Sequence, residues 1–79
     1  MMALLDPRAG NYSLLITDDD ESCRYSLKDV FELKGYTTYL ASCGREAVKI
    51  AKSEEVHLLI LDSHLPDYSG LETFKIITR

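Results

Sequence analysis

Carboxylates are the residues of this chain whose type and spacing could do chemistry. Asp18, Asp19, Asp20 and Glu21 stand consecutively, directly after the apolar run LLIT, and Asp62 stands directly after a second apolar run, LLIL. Ionised carboxylates held close together repel, and each then resists ionisation unless a cation compensates. A hard divalent cation does so, and Mg²⁺ suits a site of few carboxylates because it keeps several waters for phosphate oxygens. The other reactive side chains are dispersed. Cys23 and Cys43 fit no zinc or redox spacing and read as free thiols. His64 lies two residues beyond Asp62, but no second His or Cys is placed to complete a transition-metal site. His57 reads as a strand-edge or surface residue.

An acidic run can also serve only to complement a helix dipole, so the elements that carry these residues decide. Residues 12–17 (YSLLIT) are apolar on both faces, as a strand inside a parallel sheet requires. Cys23, Leu27, Val30 and Phe31 then repeat at helical spacing, with Asp20 or Ser22 to cap the start and Gly35 to stop the helix. Residues 36–41 (YTTYLA) have strand content. Ser42 is placed to cap a second helix with a narrow stripe of Ala47, Val48 and Ala51. Residues 56–61 (VHLLIL) form the most apolar strand, and Leu65, Pro66 and Asp67 form a turn. Ser69 and Glu72 spell a capping box for a last helix whose Leu71, Phe74 and Ile77 share a face. Residues 1–11, with Pro7, Gly10 and Asn11, read as a flexible leader before one domain over 12–79.

The order β-α-β-α-β-α implies an α/β fold with a parallel sheet and right-handed crossovers. In such sheets ligands bind beyond the carboxyl ends of strands where the strand order reverses. With strands one and three as neighbours, Asp18, Asp19 and Asp62 converge on one patch.

At these residues the chain resembles the receiver domains of two-component response regulators. The shared features are LLITDD, with Thr17 as a polar exception, then LLILD, then Pro66 and Gly70 in DSHLPDYSG. Arg24 also sits where many relatives carry Arg. The resemblance implies a flavodoxin-like sheet with strand order 2-1-3. It implies Asp62 as the phosphoacceptor, forming a 4-aspartylphosphate with phosphoryl from a histidine kinase or phosphotransfer protein. It implies Mg²⁺ held by Asp19 directly, by Asp18 mainly through water, by Asp62 and by the backbone carbonyl of His64. Such a domain is a signalling phosphoacceptor whose only chemistry is self-phosphotransfer. The resemblance covers three of the family's five βα units. The family's Ser or Thr after strand four and Lys after strand five have no counterpart among these 79 residues, so phosphate uptake by them alone is expected to be impaired.

Two readings from other classes compete. D-x-D-x-S at Asp18, Asp20 and Ser22 resembles the first motif of haloacid-dehalogenase-type phosphatases, with Asp18 as nucleophile and Asp20 as acid/base, but this leaves DSHLPDYSG unexplained. The chain could also be an interaction fragment that never takes phosphate. Composition narrows the field. The formal net charge is −4 and the basic residues are scattered, which disfavours a nucleic-acid surface. Apolar runs such as residues 58–61 are far too short to span a membrane, and no signal-peptide pattern opens the chain. A cytoplasmic location is expected. The third strand, apolar on both faces, is expected to pair with a second copy if nothing else covers it.

Overall fold

The computed structural model describes residues 12–79. The elements run β1 (Ser13–Thr17), α1 (Glu21–Leu33), β2 (Thr37–Ala41), α2 (Gly44–Ser53), β3 (Leu58–Leu61) and α3 (Gly70–Ile77). The three strands form one parallel sheet in the order β2-β1-β3. The expected α/β architecture and strand order are therefore present. Strands β1, β2 and β3 begin one or two residues later than the sequence pattern suggested. The reading of residues 1–11 as a leader lies outside the described residues.

β1 is central, and all five of its residues are buried. Side chains alternate across a strand, so β1 feeds two cores. Leu14 and Ile16 pack with Phe31, Tyr36 and Ile60, against which Leu27 and Leu58 also rest. Leu15 packs with Ala41 and Ala47, joined by Ile50, Leu59 and Ile77. One layer of helix thus covers each face. This explains why YSLLIT shows no polar alternation: neither face of β1 meets water.

The helix ends follow local rules, with one exception. Asp20 caps α1, its side chain accepting the Cys23 N–H. α1 closes at Lys34 and the chain then turns through Gly35, whose φ of 94° suits glycine. Ser69 and Glu72 make the full capping box at α3. Ser42, however, does not cap α2. The N-cap residue is Cys43, which offers no side-chain hydrogen bond. Ser42 instead donates from its N–H to Glu46 Oε1 at 2.7 Å, and its hydroxyl lies 3.1 Å from the same oxygen.

Two apolar stripes also need correction. On α1, Phe31 is buried and Leu27 packs on the core, but Val30 is 48% exposed. On α3, Leu71 and Phe74 are 63% and 47% exposed, while Gly70 and Thr73 are buried. The reason is close approach: a Cβ on Gly44 of α2 would lie only 2.5 Å from Thr73 Oγ1. Small residues, rather than the largest apolar ones, let α2 and α3 meet.

Candidate functional site

The register of β1 places the acids. Thr17 pairs with Ala41 on one side and Leu61 on the other. Beyond the strand ends the ladder continues for one step each way, with Asp18 N–H donating to the Ala41 carbonyl at 3.1 Å and Asp62 N–H to the Thr17 carbonyl at 3.0 Å. Asp18 and Asp62 therefore leave adjacent strands at the same level, at the carboxyl end of the sheet. One carboxylate oxygen from each of Asp18, Asp19 and Asp62 lies within 4.8 Å of the others. Asp18 is buried, Asp62 half-buried and Asp19 exposed, so the cluster opens to solvent on one side.

The surroundings hold these carboxylates in place. Asp18 Oδ1 accepts the Asp20 N–H at 2.9 Å. Arg24 reaches back from the first turn of α1 and donates from Nη1 to the Asp18 carbonyl at 2.9 Å. Asp20 is not part of the cluster; its carboxylate is spent on capping α1. The simple dipole-complement role thus holds for Asp20, and the run divides into two functions. The Cys23 thiol neighbours the acids. A hydrogen bond with the Asp18 side chain, then burial, then the negative charges of Asp18, Asp20 and Asp62 push its pKa up. It therefore stays a protonated, poorly nucleophilic thiol.

His64 follows Asp62 in the β3–α3 loop. Its N–H points to Asp62 Oδ1 at 3.4 Å, a long contact, and it bridges to Ser69 across the loop. The Gly70 N–H donates to the Ser63 carbonyl at 3.1 Å, and a Cβ at Gly70 would overlap the Asp62 carbonyl oxygen. Glycine is required there because α3 starts directly against the backbone of the loop's first residues. This gives the Asp-to-Gly spacing a steric cause.

The spacing-based reading missed two residues. Asp67 looked like a turn residue. Its carboxylate accepts the N–H groups of Gly44 at 2.7 Å, Arg45 at 2.8 Å and Tyr68 at 2.8 Å. Desolvation pushes its pKa up, but the backbone donors of Arg45, Gly44, Tyr68 and Asp67 itself outweigh this and lower it to about 2. No local signal pointed to this role, since Ser42 looked placed to cap α2. Thr17 is the second: fully buried, with a hydroxyl that has no hydrogen-bond partner among the described residues. At the opposite end of the sheet, His57 is more than a surface residue. Its Nδ1 accepts the Ser13 N–H at 3.1 Å, its Nε2 lies 2.9 Å from Glu55 Oε1, and Tyr12 meets its ring edge-on.

Known proteins are similar to this chain in sequence and fold. The chain is 37% identical over 65 residues to sporulation initiation phosphotransferase F of Bacillus subtilis, covering 82% of this chain and 52% of that protein. It spans only about half the length of that relative. The response regulator TrrA of Thermotoga maritima, solved in complex with Mg²⁺ and BeF, superposes with a TM-score of 0.80 at 36% identity, over 84% of this chain and 57% of that one. A response-regulator receiver domain from Saccharomyces cerevisiae, crystallised with a histidine phosphotransfer signalling protein, superposes with a TM-score of 0.77 at 33% identity, over 81% and 44%. The family pattern described as "Response regulator receiver domain" matches residues 14–79, which takes in all three clustered acids and every described element except the first residue of β1, Ser13. With its 2-1-3 parallel sheet and acids at the carboxyl ends of β1 and β3, the chain belongs to the response regulator receiver domain family.

Proposed function

We propose that this chain is a phosphoacceptor: Asp62 takes a phosphoryl group beside a Mg²⁺ site formed by Asp18, Asp19, Asp62 and the backbone carbonyl of His64. The convergence of three carboxylate oxygens within 4.8 Å carries this reading. The donor set fits the ion, since it is all oxygen and leaves coordination positions open on the exposed side. When bound, Mg²⁺ supplies neutralisation of charge on the transferring phosphoryl group.

The protein residues do the rest. A carboxylate oxygen of Asp62 attacks phosphorus, the bond from phosphorus to the donor's imidazole nitrogen breaks, and the imidazole takes a proton. Asp18 stays fixed through its contacts with Asp20, Arg24 and the β2 ladder. The donor is a sensor histidine kinase or a phosphotransfer protein, in keeping with the histidine phosphotransfer protein that accompanies the yeast neighbour. A cytoplasmic setting is part of this proposal; none of the described helices is long and apolar enough to cross a membrane. The haloacid-dehalogenase reading is disfavoured, because the Asp20 side chain caps α1 and stands outside the acid cluster.

The test is to incubate the chain with acetyl phosphate and Mg²⁺, then reduce the acyl phosphate with borohydride and locate it by mass. Label is expected on Asp62, abolished by Asp62→Asn. With these 79 residues alone in the tube, which carry no counterpart of the family's Lys, occupancy should be low, because loss of one such preorganised charge commonly costs about 10² to 10³ in rate. Label that survives Asp62→Asn would contradict the proposal.

A further inference from the structure

The loop that begins with Asp62 is tied to a helix that carries none of the clustered acids. Asp67, five residues beyond Asp62, spends both carboxylate oxygens on the start of α2, taking Gly44 N–H on Oδ1 and Arg45 N–H on Oδ2. The same Oδ1 takes Tyr68 N–H, which fixes the carboxylate against its own loop. α2 supplies no side-chain cap of its own at Cys43. Gly44 is packed against Tyr68 and Thr73, so α2 and the loop touch without room to slide. Within the loop, the His64–Ser69 bridge and the bond from Gly70 N–H to the Ser63 carbonyl close a short arch. Asp67 stands on that arch. Its displacement therefore moves the segment that follows Asp62.

We infer that Asp67 is a positioning residue for the acidic site, a clamp that fixes the β3–α3 loop on the N-terminus of α2 and so sets the placement of Asp62 and His64. The inference rests on the proposed Mg²⁺ site. Groups that orient metal ligands without touching the metal commonly change affinity by about 10- to 100-fold when removed. A residue that merely stabilised α2 would leave the affinity alone once the protein is folded.

The experiment measures Mg²⁺ binding by calorimetry on the full 79-residue chain and its variants. Asp67→Ala should weaken binding about tenfold, and Asp67→Asn, which keeps one acceptor oxygen, should recover part of the loss. Glu46→Ala is the control: it removes one negative charge and the Ser42 contacts from the same helix end without touching the loop. It should shift the affinity less than twofold. Hydrogen exchange on the metal-free chain supplies a second readout, in which Asp67→Ala should speed exchange at Gly44, Arg45, Tyr68 and Gly70 more than Glu46→Ala does. Equal loss of Mg²⁺ affinity in Asp67→Ala and Glu46→Ala overturns the clamp. So does unchanged affinity in Asp67→Ala, or exchange at Gly70 that does not respond. Asp62→Asn and Asp19→Asn separate the two levels. If they abolish binding while Asp67→Ala leaves the affinity unchanged, the clamp alone fails; if they leave binding intact, the metal site fails and the clamp's positioning role with it.

Discussion

Thr17 occupies a position where the sheet calls for an apolar side chain. It lies between Ala41 and Leu61 in the ladder, is completely buried, and its hydroxyl finds no partner among the described residues. Burying an unsatisfied hydroxyl costs about 1–3 kcal/mol. Thr17→Val keeps the shape and removes the cost, so it should stabilise the chain by about 1 kcal/mol without changing Mg²⁺ affinity. Urea denaturation measures this, and a less stable variant would show that the hydroxyl is bonded after all. At the same scale, the acids were legible because their meaning is local. A carboxylate directly after a buried strand must leave the sheet at its carboxyl end, and Asp18, Asp19 and Asp62 all do. Asp20 was ambiguous because the same run also begins a helix, and only the Cys23 contact separates its role from theirs.

Elements were legible where their signals lie within one turn of chain. The capping box at Ser69 and the glycine stop at Gly35 are read from neighbouring residues and both are present. The cap of α2 was not legible, because the side chain that accepts its N–H groups lies 22 to 23 residues away. No spacing rule connects Asp67 to Gly44 and Arg45. The α3 stripe held only at Ile77, for a related reason: burial there is set by how closely α2 and α3 approach, which favours Gly70 and Thr73 over Leu71 and Phe74. The α2 cap makes a pH prediction. With the pKa of Asp67 lowered to about 2, below the ordinary Asp value of about 3.9, its contribution is complete above the unfolded-state value. It is lost as pH falls from about 4 toward 2. Asp67→Asn should therefore lower the urea midpoint at neutral pH and have little effect near pH 2. Parallel curves for the two proteins across that window would refute the assignment.

For the whole molecule, the alternation of strands and helices was enough to give a parallel α/β sheet, because a βαβ chain has few ways to close, while the 2-1-3 order, which the sheet has, came from the family resemblance. Among the described residues, β3 pairs with β1 alone, so its other edge has no strand partner. Leu71 and Phe74 leave further apolar surface on α3. An unpaired edge flanked by apolar side chains templates association, and twofold closure is the commonest outcome for identical chains. These 79 residues by themselves should therefore self-associate through β3. Sedimentation should show mass rising with concentration, and amide exchange across residues 58–61 should slow in step. A monomer at all concentrations, with exchange there unchanged, would contradict this.

In the proposed function, acids from the ends of two strands act as one divalent-cation site. Amide NMR during a Mg²⁺ titration tests it most directly. Binding should be weak and saturable, the amides next to Asp19 and Asp62 should shift first and together, and Asp62→Asn should remove both sets of shifts. Shifts that begin elsewhere, or that survive Asp62→Asn at Asp19, would contradict it.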